Sequence, residues 1–451
     1  MLFTINELNQ LFTEARGEHK DSIPVKSIMT DSRRVHDQSL FVPIVGENFD
    51  AHDFLKKAIE NGAIGALWQK DKKVPAYVPT DFPLFLVEDT TLGLQQMAGF
   101  YLQKVSPKVV AVTGSNGKTT TKDLVASVLS TTYKTHKTEG NHNNHIGLPL
   151  TLFAMPEETE VVVLEMGMSS FGEIETLSNL ARPDFAIITN IGESHIEYLG
   201  SREGIAKAKL EIKAGLRGPL IFDGDEALLS EEHDVSENWP CGFGEENRNV
   251  IKDMELSDQS SSFTIDGRAY QLPLAGAHNV LNASFAITAA KLMGVSEEAI
   301  QQGLDQSKVT GMRFERVEGK NGSLIINDTY NASPTSMKAV IEVIKQMKEK
   351  TRKVLVLGDI YELGEFSKDL HRKVADAVND EIDAIYTFGN DADEITKAVL
   401  HQNPSIQATH YTDKQTLADK LTDELRDDTV ILLKASRGVR LETLLETLTE
   451  S

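Results

Sequence analysis

Val109-Val110-Ala111-Val112-Thr113-Gly114-Ser115-Asn116-Gly117-Lys118-Thr119-Thr120-Thr121 is an apolar, β-branched run that breaks into a glycine loop and resumes as a helical pattern. It predicts a strand, a phosphate-binding turn and a helix start. Glycines at 114 and 117 let backbone N–H groups converge on phosphate oxygens, and the helix N-terminus adds its partial positive charge. Lys118 can bridge the outer phosphates and Thr119 can ligate magnesium. The stretch Gly114, Ser115, Asn116, Gly117, Lys118, Thr119 and Thr120 is therefore the candidate site for ATP or GTP. The match to G-x-x-x-x-G-K-[ST] is incomplete, because the first glycine falls on Val112 and the shorter G-x-x-G-K-T stands here.

Downstream of the loop, Val161 to Leu164 and Phe185 to Thr189 are short apolar runs of the kind buried in parallel sheets. They end in Glu165-Met166-Gly167 and in Asn190 to His195. Ligands of open α/β sheets bind beyond the carboxyl ends of strands, so Glu165 and His195 are placed to join Thr119 around a nucleotide-bound magnesium. Each could equally be a cap or a hydrogen-bonded turn. Between them and the phosphate loop, Thr138 to Pro149 is rich in asparagine, Asn144 included, and can orient substrates without adding charge. Arg202 to Ile212 reads as a helix whose surface Glu203 and Lys207 support each other. Phe263 to Tyr270 reads as a hairpin on Asp266-Gly267. A helix then opens at Gly276, with Asn279 and Asn282 on one face. Their amides suit the edge of adenine, although N-capping accounts for Asn279 as well.

Upstream, Ile5, Leu8, Leu11 and Phe12 form an amphipathic pattern, and Leu40 to Pro43, Phe85 to Glu88 and a helix through Leu94, Met97 and Tyr101 complete a small α/β unit. Arg33 beside Ser32 could hold a phosphate, or the two could lie in a solvated turn. Pro107 is a plausible boundary. Past Gly311-Met312-Arg313-Phe314 the alternation restarts with strands near Leu324, Val354, Ala384 and Val430, which implies a Rossmann-like parallel sheet without a G-x-G-x-x-G fingerprint. The expected fold is α/β in three domains: 1–106, 107–313 and 314–451.

At 451 residues the chain exceeds what one core serves, and about three domains is the natural division. A formal net charge of -22 argues against nucleic acid or an anionic membrane as partner. The single cysteine, Cys241, allows no internal disulfide and suits a reducing compartment. Met1 to Glu14 lacks a basic and apolar leader pattern, and no apolar run approaches the ~20 residues of a membrane span. A cytoplasmic enzyme is expected.

These residues together resemble the Mur ligases, the ATP-dependent amide-forming family of peptidoglycan assembly, across all three segments. The shortened phosphate loop is that family's own T-G-x-x-G-K-T. The resemblance implies magnesium ligation by Glu165 and His195 beside Thr119, and a carbamylated lysine at Lys209 holding a second magnesium. It implies adenine binding by the H-N-x-x-N run His278 to Asn282, with Arg313 and Asp328 near the ribose and outer phosphate. Catalytic roles fall on Lys118, Lys209 and His195. The D-S-R segment Asp31 to Arg33 matches the uridine-substrate motif. Gly46 to Phe54 and Asp328-Thr329-Tyr330-Asn331-Ala332-Ser333-Pro334 resemble the signatures of the member that adds the last residues, which brings in Asn331. Ala51 departs from the usual glycine of the first signature. The implied partners are UDP-N-acetylmuramoyl-tripeptide and D-alanyl-D-alanine, met by one monomer, with ATP between the second and third domains. Lys434, Ser436 and Arg437 are candidates near the incoming dipeptide. Rival readings are a sibling amide ligase, a P-loop kinase, which leaves the third domain unexplained, and a non-catalytic nucleotide-binding scaffold.

Overall fold

Strand Lys108–Thr113 is buried from its second residue onward because helices cover both of its faces. Val110 and Val112 point into an apolar cluster with Leu124, Val125, Val128 and Ile287, while Val109 and Ala111 point the other way, into a cluster with Leu152, Leu164 and Leu177. A strand read as continuously apolar is thus one with two dry sides. The computed structural model describes residues 1–18, 22–308 and 310–450.

Among the described residues, Lys108–Thr113 sits within a nine-stranded sheet, flanked by the parallel strands Val161–Glu165 and Phe185–Ile188. Beyond Phe185–Ile188 the sheet continues in parallel through Leu220–Asp223, Trp239–Gly242 and Asn249–Leu256. It then turns antiparallel with Ser261–Ile265 and Arg268–Leu272. The tight turn of that last hairpin is Asp266-Gly267, with φ of +54° and +73°, the doubly left-handed turn that an Asp-Gly pair favours. The chain leaves Lys108–Thr113 for one side of the sheet and later crosses to the other, so a crevice opens at its carboxyl end.

The first segment folds around a five-stranded sheet in the order Ala15–Arg16, Leu84–Val87, Ala63–Gln69, Ser39–Phe41, Ser27–Met29, parallel except at its first pairing. Its last helix, Thr90–Val105, packs on Gly147–Phe153 of the central segment. There Tyr101 donates a hydrogen bond to the Met155 carbonyl at 2.8 Å, and the rings of Phe3 and Phe153 lie 6.0 Å apart. A six-stranded sheet follows Arg313, in the order Glu315–Glu318, Leu324–Asn327, Thr429–Lys434, Arg352–Gly358, Ala384–Phe388, Gln407–Tyr411. Only its first strand is antiparallel. The architecture is α/β with largely parallel sheets.

Candidate active site

The phosphate loop closes around two glycines where any side chain would be strained and crowded. Gly114 has φ of +150°, and a Cβ there would meet Thr189 Oγ1 at 1.8 Å; Gly117 has φ of +77°, and a Cβ would meet Asn282 Oδ1 at 2.7 Å. The loop is pinned from the neighbouring strand end. The Ser115 N–H donates to the Asn190 carbonyl and the Asn116 N–H to Asn190 Oδ1, each at 3.0 Å, while the Thr189 hydroxyl donates to the Asn116 carbonyl. Two N–H groups expected to meet phosphate are therefore spent on shaping the loop. What the loop offers a ligand is the start of helix Lys118–Leu129 and its side chains. Among the described residues, Ser115 Oγ, Asn116 Nδ2 and Arg313 Nε are buried without a hydrogen-bond partner. All three belong to residues lining one cavity of about 740 Å³. Buried polar atoms without partners are costly, and a ring of them around a phosphate loop fits a polyphosphate.

Lys118 folds back on its own loop, donating to the Gly114 carbonyl at 2.8 Å and the Ser115 carbonyl at 3.4 Å. Burial lowers its pKa; Glu165 counters this and Arg313 adds to it. Thr119, the next residue, donates its hydroxyl to Glu165 Oε2 at 2.7 Å and accepts from the Arg313 guanidinium at 2.8 Å. Glu165 Oε1 accepts from Asn143 at 2.8 Å, and its backbone N–H donates to Thr138. A carboxylate and a hydroxyl side by side are hard oxygen donors of the kind magnesium takes. Lys209, in helix Arg202–Leu210, also faces this cavity; its side chain is 1% exposed. Among the described residues no hydrogen bond or ion pair reaches its Nζ, and burial, with Lys118 nearby, drives its pKa well below the ordinary lysine value.

His195 lines the same cavity, in a left-handed conformation (φ +65°) at the head of Ile196–Leu199. Its Nδ1 lies 2.5 Å from Glu362 Oε2, a residue of the C-terminal segment, and this contact holds the Glu362 pKa down. Glu362 carries no local signal in the sequence. The base end of the cavity is apolar, with Pro273, Leu274, Ala275, Leu281 and Val340. His278 there is held neutral by burial, its pKa lowered to about 4. Asn279 gives its amide to the Ala275 carbonyl, and Asn282 accepts from the Thr121 hydroxyl at 3.2 Å, so Asn282 also braces the phosphate loop.

The C-terminal segment supplies the opposite wall. Asp328 accepts from the Phe314 N–H at 3.1 Å and from Lys434 Nζ at 2.6 Å; Lys434 also donates to the Asn331 carbonyl. The Arg313 guanidinium stacks 3.8 Å over the Tyr330 ring. Ser333, at the head of helix Pro334–Gln346, donates to Asn116 Oδ1 at 2.9 Å, and Thr335 donates to Glu193. Asn144 lines the cavity, but its Oδ1 caps Gly147.

Ser32, Arg33, Ser436 and Arg437 are not among the residues lining this cavity. Arg33 is exposed and pairs with Asp31 at 2.8 Å, which holds the Asp31 carboxyl well below its usual range. Ser32 is buried, its carbonyl accepting from Asn61. Ser436 Oγ accepts from the Tyr361 N–H, and Arg437 pairs with Glu442.

A family model described as the Mur ligase middle domain matches residues 112–290, and one described as the Mur ligase glutamate ligase domain matches 312–437. The chain belongs to the Mur ligase family. Within the family it is 45% identical to the UDP-N-acetylmuramoyl-tripeptide–D-alanyl-D-alanine ligase of Bacillus subtilis, over 97% of this chain and 96% of that one. The Escherichia coli enzyme of the same name is 33% identical over 98% of each. Among solved structures, MurF from Acinetobacter baumannii superposes with a TM-score of 0.87 at 33% identity, covering 100% of this chain and 99% of that one. MurF ligase from Thermotoga maritima in complex with ADP gives 0.83 at 31%, covering 94% and 97%.

Proposed function

We propose that this chain is the ligase that joins D-alanyl-D-alanine to UDP-N-acetylmuramoyl-tripeptide at the cost of ATP, completing the pentapeptide precursor of peptidoglycan. The supporting observation is one cavity in which the phosphate loop faces Asp328 to Asn331, in a chain alike over its full length to ligases of that name.

ATP lies with its phosphates on the loop and its base against Leu274, Ala275 and Leu281, where His278 and Asn282 stand. The terminal carboxylate of the tripeptide attacks the γ-phosphorus; the bond to the bridging oxygen breaks and ADP leaves, giving an acyl phosphate. The amine of D-alanyl-D-alanine then adds to the acyl carbon, the tetrahedral intermediate collapses, phosphate departs and the amine gives up a proton. Bringing a carboxylate against a triphosphate is repulsive, so catalysis is mostly positioning and charge neutralisation. Lys118 and Arg313 supply positive charge from this chain. Thr119, Glu165 and His195 would hold one magnesium ion, with Lys209 offering a ligand for a second. Bound there, magnesium supplies electrostatic stabilisation of the transferring phosphoryl group.

A lysine ammonium would repel a cation. Lys209 suits the role once its neutral amine has added carbon dioxide and released a proton, leaving a carbamate whose oxygens are ligands. Its depressed pKa favours the neutral amine that this step needs. Residues 1–106, with Ser32 and Arg33, receive the uridine nucleotide; 107–313 binds ATP; and 314–451, with Asn331, Lys434, Ser436 and Arg437, meets the dipeptide. The enzyme acts in the cytoplasm, where ATP is available.

Phosphate release by the purified chain tests the proposal. Release should require both the tripeptide nucleotide and D-alanyl-D-alanine; release with another amine in place of the dipeptide would reassign the chain to a sibling activity.

A further inference from the structure

Asp123 lies in helix Lys118–Leu129, the helix that the phosphate loop opens, and its side chain is 1% exposed. Lys137 donates to its Oδ1 at 2.7 Å and the Lys122 ammonium pairs with the same oxygen at 3.0 Å. Its Oδ2 is committed elsewhere: it accepts both the backbone N–H of Thr310, at 3.1 Å, and the Thr310 hydroxyl, at 2.8 Å. Thr310 is 187 residues away in sequence, between helix Glu297–Asp305 and strand Glu315–Glu318. Arg313 follows within a turn, and its guanidinium reaches Thr119 at the head of the helix that carries Asp123.

The backbone around Arg313 does not hold itself. Met312 and Phe314, on either side, have φ of +59° and +53°, a conformation that side chains of this size rarely adopt and that persists only when surrounding contacts impose it. Those contacts are the Phe314 N–H on Asp328, the Tyr330 N–H on the Met312 carbonyl and the Met312 N–H on Glu315. Upstream of Met312, the tie to the helix that the phosphate loop opens is Thr310 on Asp123.

The geometry points to Thr310, anchored by Asp123, as a positioning residue that holds the Arg313 guanidinium over the phosphate loop. The inference rests on the reading of Arg313 as a group that meets nucleotide phosphate. Its job is to fix a side chain whose own tether is strained, so that Arg313 arrives at the nucleotide already aimed.

Affinity of the full chain for a non-hydrolysable ATP analogue that keeps the outer phosphate, measured by calorimetry without turnover, tests this, together with the separate KM values for ATP and the tripeptide nucleotide. Arg313→Ala should weaken the analogue about tenfold or more, as loss of a charged hydrogen-bond donor does. Thr310→Ala, and Thr310→Val as the variant that keeps the shape, should weaken it about three- to tenfold and raise KM for ATP while leaving KM for the tripeptide nucleotide unchanged. Thr310→Ser should restore both values. In an Arg313→Ala background, Thr310→Ala should add nothing. If Thr310→Ala and Thr310→Val bind the analogue normally while Arg313→Ala does not, or if the two losses simply add, the inference is wrong. An Arg313→Ala chain that binds the analogue like its parent overturns the reading of Arg313 itself, and the inference with it.

Discussion

Lys118 stands close enough to Lys209 to oppose its protonation, in addition to the larger opposition from burial. Two lysines facing one cavity thus have different prospects. Lys118 has carbonyl oxygens to donate to, whereas among the described residues Lys209 has no such partner, and its pKa lies well below the usual range. Lys209→Ala should abolish ligation, and formate or acetate should return part of it by filling the place of the carbamate oxygens. Lys207→Ala should behave as wild type, because Lys207 is exposed on another face of the helix, near the Phe171 ring. A carbon-13 carbamate signal in protein supplied with labelled bicarbonate checks the chemistry; normal turnover of Lys209→Ala would remove the basis for it.

Lys118→Ala removes a cation from the phosphate loop while leaving the apolar faces of the strand and helix intact. Turnover should fall by about a hundredfold or more, the scale of losing one charge that stabilises a transferring phosphoryl group. The far-ultraviolet circular dichroism spectrum should be unaltered. Near-normal turnover would take the lysine out of the reaction.

Glu165→Gln keeps an acceptor for the Thr119 hydroxyl and removes the negative charge. The magnesium concentration giving half-maximal activity should rise several-fold, with KM for the tripeptide nucleotide unchanged, and His195→Ala should act in the same direction. If neither variant changes the magnesium dependence, both side chains are structural.

Asp50 predicts how the first segment answers to acid. Burial opposes its ionisation, but hydrogen bonds from Lys72 at 2.6 Å and from His52 outweigh it, and its pKa falls from 3.8 to about 2. The folded chain binds this proton more weakly than the unfolded chain does, so the stabilisation is complete above about pH 4 and is lost as pH falls toward 2. Asp50→Asn should cost about 1–2 kcal/mol at neutral pH, after discounting for partial exposure. Denaturation curves of the variant and its parent should converge as pH falls from 4 to 2; a difference that stays constant with pH would assign the cost to packing.

The sheets were legible because their strands are buried on both faces and so read as unbroken apolar runs; Val161–Glu165 and Thr429–Lys434 are examples. Glu165 beside Thr119 could also be foreseen, since Glu165 closes one strand and Thr119 lies in the first turn of the helix that follows its neighbour. The partners that complete the site left no such trace. Glu362 on His195 and Thr310 on Asp123 are polar contacts between distant parts of the chain, and no periodicity encodes them. Arg33 shows the limit from the other side: its sequence allowed both a phosphate ligand and a local ion pair, and in the structure it closes on Asp31.

The joint between Thr90–Val105 and Gly147–Phe153 bears on how the chain comes apart. Phe3, Tyr101, Phe153 and Met155 belong to a single apolar cluster that runs from the first segment into the central one. A fragment cut near Pro107 would put the Tyr101 and Phe3 rings into water and strand the Tyr101 hydroxyl that now serves Met155. The first hundred residues are therefore a covalent neighbour that melts in concert with the nucleotide-binding sheet, and the two should behave as one cooperative unit in native-state hydrogen exchange.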